Sequence, residues 1–444
     1  MKTSPLAIAI GLSLFLTACT TASLRPDTTE LQSELAEISP AARLPSGTGS
    51  VDLTAPLTPE RAVQVAFANN PQVRAALARL DAIQAERVQA GLISNPMGSL
   101  MALRPEGGGR FQLEVGLMQS LYDVFARSRR VAVADAEAQR REAEVLSELV
   151  TLAQDTRSAL VQAWFAEQAL ALERQRLAVD VEASRFTQRQ AAQGAVSSRE
   201  QLAQQAAVAS QAHAVSVAEL DLATARSRLA RMLGLSSATG VILPAELATP
   251  ELANLQTPEW QAWAAQHRPE GRLAQAQIET ARAQRTANRG ALRATQPSAG
   301  VAGMRESDGM AFQGLAIQIT LPVFDTGQAR RALADAQVAE AEHQAEAVQR
   351  RISLDVEQAL ATVVIAQEAA AHAEHHLRLQ RQLEELAGRT YQNGIGDRGE
   401  FRQATRNRLM AVQDDLTARQ RLWTSLLELE SASAREEGTA TTPP

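Results

Sequence analysis

Two stretches of the chain decide the fold, and they lie 200 residues apart. Residues 111–136 read FQLEVGLMQSLYDVFARSRRVAVADA, and residues 311–336 read AFQGLAIQITLPVFDTGQARRALADA. Each stretch begins with alternating apolar and polar residues, which indicates a strand with one apolar and one polar face. Each then continues in the pattern of a helix. The fold is therefore predicted to pass from strand to helix twice, at equivalent points.

The repetition extends far beyond these stretches. Residues 121–229 align with residues 321–429 without an insertion, and Gly194 corresponds to Gly394 within that register. Self-similarity at a fixed spacing indicates a duplicated structural unit. The first repeat is predicted over residues 58–235 and the second over residues 257–433, joined by a linker at residues 236–256.

Each repeat is predicted to contain a helix, a β-hairpin and two longer helices. Thr58 and Thr257 precede proline and glutamate, the pattern of a helix N-cap, and the first helices extend to about residues 94 and 295. The hairpins are predicted at about residues 97–121 and 298–321. Val124 to Gln190 contains neither proline nor glycine, which predicts a helix about 100 Å long at 1.5 Å per residue.

One face of that long helix carries apolar residues at alternating steps of three and four. This spacing predicts a coiled-coil-like seam, formed by Leu146, Val150, Ala153, Leu160 and Trp164. Arg157 interrupts the series. We define these five apolar residues as the seam.

The N-terminus has the pattern of a secretory signal. Lys2 precedes an apolar run that ends at Leu16, and this run is shorter than the roughly 20 residues that a membrane-spanning helix needs. Leu16-Thr17-Ala18-Cys19 resembles a lipobox, which implies cleavage before Cys19 and acylation of this sole cysteine. Residues 1–18 are thus a predicted signal peptide, and residues 19–57 a lipid-linked extension. The segments 20–57 and 434–444 are predicted to be extended or disordered, the latter as a tail.

The amino-acid composition and the absence of catalytic motifs exclude several classes of function. The chain of 444 residues is 21% charged and 3% aromatic with a net charge of −6, which favours long helices and argues against nucleic acid as a partner. We find no phosphate loop, nucleophile elbow or zinc motif. The sequence therefore predicts a protein that is not an enzyme and has no cofactor apart from the lipid on Cys19.

The predicted elements require several copies of the chain. A helix of about 100 Å has no interior of its own and buries its apolar face only beside similar helices. Four strands cannot close a barrel, because the smallest barrels have about eight. The sequence therefore predicts an obligate oligomer, mainly α with a small β part.

At this point the residues resemble a known family, the TolC-like outer-membrane efflux proteins. The motifs that carry the resemblance are Thr-Pro-Glu at 58–60, Ala-Asn-Asn-Pro at 68–71, Leu-Pro-Val-Phe-Asp-Thr-Gly at 321–327 and Tyr-Gln-Asn-Gly at 391–394. The duplicated order of these elements, over about residues 57–433, is more specific than any single motif. In one departure, the first repeat has no proline or glycine at its strand exit, residues 121–125.

The resemblance implies an assembly and a location. The chain would form a homotrimer whose duplicated halves build an α-helical barrel in the periplasm, joined to a twelve-strand transmembrane β-barrel. It would sit lipid-anchored in the outer membrane, contacting membrane lipid, a periplasmic adaptor protein and an inner-membrane efflux pump. Its function would be the outer-membrane channel of a tripartite efflux or type I secretion system.

The resemblance also implies site residues. The adaptor-contact tip is predicted at Gly194, Val196, Tyr391 and Gly394, although a helical hairpin needs a permissive residue at its turn in any case. The gate is predicted at Glu400 with Asp397 and Arg398. Glu400 and Glu200 are alternatively solvated carboxylates that the helix dipole favours.

Two alternatives stay open. A lipid-anchored periplasmic coiled-coil adaptor or scaffold would account for the helices and the anchor, but not for the duplicated hairpins. His372, His375 and His376 have helical spacings that a metal site could use, yet an exposed helix face explains them equally, and no metal ligands are assigned.

Overall fold

The computed structural model describes residues 28–45, 55–104, 106–237, 240–248, 257–290 and 292–436. Its helices, in chain order, are α1 Thr29–Ile38, α2 Pro59–Asn69, α3 Pro71–Gly91, α4 Leu121–Phe125, α5 Arg127–Ala192, α6 Ser198–Met232, α7 Thr257–His267, α8 Pro269–Asn288, α9 Leu292–Thr295, α10 Gln328–Gln392 and α11 Arg398–Ser433. Its strands are β1 Met97–Leu103, β2 Gln112–Ser120, β3 Ser298–Arg305 and β4 Ala311–Gln318. The protein is mainly helical with a small sheet, as predicted.

The described residues form two compact units. The first unit contains the four strands with residues 77–141 and 276–340, and the second contains residues 29–76, 142–275 and 341 onward. The long helices α5 and α10 have 66 and 65 residues and run through both. Among the described residues, we find no helix that is both long and apolar enough to cross a membrane.

In the first unit the duplication appears in side-chain contacts as well as in helix order. Arg87 on α3 pairs with Asp135 on α5 at 2.9 Å, and Arg289, just after α8, pairs with Asp335 on α10 at 2.8 Å. These ion pairs occupy equivalent places in the two repeats. The repeats therefore share tertiary contacts and not only a secondary-structure pattern.

The four strands form one antiparallel sheet in the order β1-β2-β3-β4. In its register Leu100 lies opposite Val115, Leu117 opposite Val301, and Val301 opposite Leu315. Side chains alternate between the two faces of a sheet, so these apolar residues share one face. Their exposed fractions lie between 49% and 87%. We define the apolar sheet face as Leu100, Leu113, Val115, Leu117, Val301, Leu315 and Ile317.

The chain segments that follow β2 and β4 differ in structure, as the difference in their sequences indicated. After β2 the chain turns directly into the short helix α4, where Ser120 Oγ accepts a hydrogen bond from Asp123 N at 3.2 Å. After β4 it stays irregular as far as Gly327, whose N–H donates to Asp325 Oδ1 at 2.8 Å. The missing proline and glycine of the first repeat thus permit a capped helix at the exit.

Each predicted first helix is divided at a proline. The chain leaves the helical conformation at Asn70, just before Pro71, because a residue that precedes proline is disfavoured in the α region. Gly234 packs against this break, and a Cβ there would lie 2.6 Å from Asn70 Cα. The second repeat divides at the equivalent place, before Pro269.

The second unit contains two equivalent apolar cores. The first joins α2, α5 and the end of α6 through residues such as Ala62, Leu160 and Leu229. The second joins α7, α10 and the end of α11 through Ala264, Leu360 and Leu429, among others. Leu160 and Leu229 correspond to Leu360 and Leu429 at the 200-residue offset, so the duplication extends to the cores.

The seam predicted on α5 is buried, with every member between 0% and 8% exposed. Arg157, which interrupts it, is only 5% exposed. Its guanidinium contacts Glu430 on α11 twice, from Nη1 to Oε2 at 2.5 Å and from Nη2 to Oε1 at 3.1 Å. Arg157 Nη1 also lies 3.4 Å from Glu436 Oε1. The residue that interrupts the apolar seam therefore belongs to a buried ion pair.

Two regions predicted to be extended or disordered are partly ordered, so the prediction is wrong for them. Residues 29–38 form α1, whose Leu31, Leu35 and Ile38 are buried at helical spacing. The predicted tail begins with Ala434, which is 1% exposed, and continues to Glu436, whose Oε1 accepts a hydrogen bond from Ser39 Oγ at 2.6 Å. The buried charge of Arg157 thus orders part of the tail. Residues 20–27, 46–54 and 437–444 lie outside the described residues.

Glu436 gives stability a dependence on pH. Burial raises its pKa above the ordinary 4.5, and Glu60 adds to this, whereas Arg157 and Ser39 act in the opposite direction. The folded protein therefore keeps the proton to a higher pH than the unfolded chain, so the ionisation of Glu436 reduces stability as pH rises. We expect Glu436→Gln to raise the thermal unfolding midpoint at pH 7 and to have no effect near pH 4.

The matched control for this experiment is Glu428→Gln, on the exposed face of the preceding helix α11. We expect that variant to behave like the wild type at both pH values. A lower midpoint for Glu436→Gln at pH 7 would mean that its attraction to Arg157 outweighs its burial, and would contradict the prediction.

Candidate functional site

The two long helices end in the same glycine-capped turn. After α5, Gly194 has φ +72°, and Ala195 N donates to Gln190 O at 2.9 Å. After α10, Gly394 has φ +73°, and Ile395 N donates to Thr390 O at 3.0 Å. Glycine adopts this left-handed conformation without steric cost, and the bonds satisfy carbonyls at the helix end. The turn-forming role of both glycines is confirmed.

The turns then diverge. In the second, Gly396 N also donates to Thr390 O at 3.0 Å, and a Cβ on Gly396 would lie 2.9 Å from Thr390 Oγ1. The first turn has the half-buried Val196 at the equivalent position. The second turn therefore folds back more tightly than the first. Sequence reasoning did not select Gly396, although its alignment with Val196 signals the difference.

Tyr391 of the predicted tip is held by an aromatic contact. Its ring stacks on that of Phe401 on α11, with centroids 6.1 Å apart and planes 5° from parallel. A Cβ on Gly388 would lie 3.2 Å from Phe401 Cε2, so the glycine leaves room for the ring. Tyr391 and Phe401 thus join the end of α10 to the start of α11.

The returning helices begin with side-chain caps. Ser197 Oγ accepts from Glu200 N at 3.2 Å at the start of α6, and Asp397 Oδ2 accepts from Gly399 N at 3.0 Å at the start of α11. A carboxylate at this position satisfies a free N–H group and suits the positive end of the helix dipole. Asp397, predicted as a gate residue, therefore has a capping role.

Arg398, also predicted at the gate, ties α11 to α5. Its Nη2 lies 3.0 Å from Glu182 Oε1, and its guanidinium carbon lies 4.2 Å from the centroid of Phe186. The neighbouring Arg402 lies 5.5 Å from the same ring. The first turn of α11 is thus fastened to the last turns of α5 by an ion pair and by cation–π contacts.

This attachment is the first of a longer series of polar contacts between α5 and α11. Farther along, Arg406 Nη2 pairs with Asp180 Oδ1 at 3.1 Å, and Arg176 Nη2 donates to Leu409 O at 3.1 Å. The series ends at the buried pair of Arg157 and Glu430. Residue numbers on the two helices run in opposite directions, so the helices are antiparallel neighbours. Sequence reasoning missed this series, because its partners lie in different repeats.

Glu400 and Glu200 are exposed in the first turns of α11 and α6. Neither carboxylate has a hydrogen bond or an ion pair within the part of the chain that the structure describes. Glu400 thus differs from its neighbours Asp397 and Arg398, whose side chains are engaged. Its charge is available to solvent or to another molecule.

His372, His375 and His376 are exposed on α10, and in the described ranges no group of three His, Cys, Asp or Glu residues could hold a metal ion. Cys19 lies outside the described residues. Its acylation stays a prediction.

The architecture is that of outer-membrane channels of known structure. The fold matches the Campylobacter jejuni CmeC outer membrane channel (TM-score 0.70, 14% identity, covering 91% of this chain and 96% of that one). It also matches the open state of the Neisseria gonorrhoeae MtrE outer membrane channel (TM-score 0.66, 20% identity, 91% and 96%). A membrane protein from Pseudomonas aeruginosa gives a TM-score of 0.69 at 17% identity, covering 89% and 99%.

The sequence of the first repeat is similar to a known family. Residues 62–235 match the family described as Outer membrane efflux protein. The predicted resemblance to that family is confirmed by this match together with the shared fold. No curated protein matches the chain by sequence.

Proposed function

We propose that this protein is the outer-membrane channel of a tripartite efflux or type I secretion system. It passes substrates outward from a periplasmic adaptor and an inner-membrane pump, without chemistry of its own. The observation that carries the proposal is the apolar sheet face, which is exposed in the single chain on four strands of seven to nine residues, the longest being β2. A transmembrane strand needs about 9–11 residues when tilted.

The sheet also supports the proposal that several copies assemble. Strands β1 and β4 are its edges, and exposed edges pair readily with further strands. Three copies supply twelve strands, enough to close a barrel, and bring three sets of long helices together. The homotrimer comes from the family resemblance, and the open edges support it.

The helical turns supply the proposed contact with the adaptor. Gly194, Val196, Tyr391 and Gly394 lie at the ends of the long helices, where a periplasmic partner would meet them. Glu400 is the proposed gate carboxylate, because it is exposed and unpaired among the described residues. Arg398 holds the start of α11 against α5 and so keeps the gate closed.

The proposed anchor is a lipid on Cys19, which places the chain in the outer membrane with its helical part in the periplasm. We expect Cys19→Ser to abolish metabolic labelling with radioactive palmitate and to leave an uncleaved or mis-cleaved precursor. The control is Ser23→Ala, a nearby change outside the lipobox. Wild-type protein that matures at another site with an unmodified N-terminus would contradict the prediction.

The proposed assembly is tested by the mass of the full chain in mild detergent. A trimer is expected, with no stable folded monomer, because the sheet edges and long helices need partners. A monodisperse, folded monomer would contradict the channel. The alternative, a lipid-anchored periplasmic scaffold, predicts that Cys19→Ser protein is released without detergent, whereas the channel still requires detergent.

A further inference from the structure

The first unit contains a cavity of about 310 Å³ between α3, α5 and the end of α8. Its walls combine the apolar Ile83 and Val133 with the ring of Tyr122 and several arginines. The channel function proposed above gives this cavity no role.

The cavity lies directly beside the strand ends. Tyr122 lines it, and the backbone N–H groups of Leu121 and Tyr122 both donate to Pro297 O, at 2.9 and 3.2 Å. Pro297 immediately precedes β3. The cavity is thus one turn from the sheet that carries the apolar sheet face. If that face contacts lipid, the cavity lies at the level of the headgroups, so this inference rests on the proposed function.

Two of the lining arginines are neutralised by carboxylates. Arg130 Nη1 lies 2.7 Å from Asp123 Oδ1, and Arg141 Nη1 lies 2.5 Å from Glu86 Oε2. Their charges are therefore largely cancelled, and they do not make the cavity attractive to an anion.

The other two lining arginines are not neutralised. Arg293 Nη1 donates to the neutral Asn288 Oδ1 at 2.6 Å, and Arg129 has no hydrogen bond or ion pair within the described ranges. A Cβ on Gly290 would lie only 2.1 Å from Arg129 Nη1, so this glycine lets the guanidinium lie against the backbone. The wall has two carboxylate residues, Glu86 and Glu137, and Glu137 accepts a hydrogen bond from Gln284 Nε2 at 3.2 Å.

We propose that Arg129 and Arg293 bind the phosphate of a phosphorylated membrane lipid, whose headgroup occupies the cavity. Guanidinium groups form paired, charge-assisted hydrogen bonds with phosphate oxygens, which makes arginine well suited to this ligand. Tyr122 adds an amphipathic ring of the kind favoured at membrane interfaces. The adjoining apolar sheet face then receives the acyl chains.

The test is native mass spectrometry of the full-length, delipidated protein titrated with phosphatidylglycerol. We expect Arg129→Gln/Arg293→Gln to weaken lipid binding about tenfold, corresponding to the loss of charge-assisted bonds worth ~1.4 kcal/mol. The matched control is Arg127→Gln. Arg127 is an exposed arginine on the same helix turn whose Nε donates to Gly91 O at 2.6 Å, and it does not line the cavity. The control should bind lipid like the wild type, and Arg129→Lys/Arg293→Lys should retain most of the affinity.

Each other outcome overturns the inference. Equal weakening in the Arg127 control would mean general surface attraction, and unchanged binding in the double variant would remove the site. Binding of inorganic phosphate to protein that does not bind the lipid would identify a site for a free anion. The oligomer mass and bilayer conductance of the same samples test the proposed function separately. A double variant that is trimeric and conducts, but has unchanged lipid affinity, would contradict the lipid site and leave the proposed channel function intact.

Discussion

Replacing Arg157 by methionine is expected to lower the free energy of unfolding by about 3–5 kcal/mol, the range for breaking a buried ion pair from one side. The variant takes the guanidinium away from the buried carboxylate of Glu430, to which it makes two contacts, and from that of Glu436. In the wild type, burial lowers the pKa of Arg157, but Glu430, Glu436 and Glu60 more than compensate and raise it above its ordinary value. The cationic form is therefore held firmly in the folded state.

Urea denaturation followed by circular dichroism measures this effect. The double variant Arg157→Met/Glu430→Met should recover most of the loss, because apolar pairs often replace buried ion pairs at little cost. Arg174→Met is the matched control. Arg174 pairs with Glu219 at 2.8 Å on an exposed surface of the same helix, so we expect a change below about 1 kcal/mol. Equal losses in the two single variants would contradict the assigned burial.

The second large effect is expected at the tip. Arg398→Glu places a like charge beside Glu182 and also removes the cation from the Phe186 ring. The start of α11 should then separate from α5. If this contact keeps the gate closed, single-channel conductance should rise several-fold.

A charge exchange provides the control for that result. Arg398→Glu/Glu182→Arg restores opposite charges and should return the conductance toward the wild-type value. Arg389→Glu reverses a charge near the same tip, but Arg389 pairs with Glu385 on its own helix, so it should change the conductance little. A conductance that is unaffected by Arg398→Glu would mean that this ion pair fastens helices without closing the passage.

Local pattern was sufficient to predict most of the secondary structure. Strands β1 and β3 begin at Met97 and Ser298, where the two hairpins were predicted to start, and Gly194 and Gly394 end the long helices as their identity suggested. These features depend on neighbours within a few residues. The strand β4 ends at Gln318, earlier than the predicted residue 321, because Thr320 N donates to Thr295 O rather than continuing the ladder.

Contacts between distant segments could not be predicted in this way. Arg157 and Glu430 are 273 residues apart, and one helix's periodicity reveals an interruption but not its partner. Glu436 belongs to a segment without hydrophobic periodicity. Its ordered position is explained by its contact with the buried guanidinium of Arg157, which lies far away in the sequence. Arg398 was predicted as a gate residue from the resemblance. Its ion pair with Glu182 could not be predicted, because it depends on α5 and α11 being antiparallel neighbours.

The central claim, that copies of this chain form a membrane channel, is tested most directly by single-channel recording of the purified full chain in a planar bilayer. We expect stepwise, cation-preferring conductance, because three copies of Glu400 would form a carboxylate ring at the gate. Glu400→Gln should weaken the cation preference, with Glu200→Gln as the matched control in the other repeat. The difference should shrink in 1 M salt, where the Debye length is about 3 Å. Folded, oligomeric protein that inserts into the bilayer and gives no conductance steps would contradict the account.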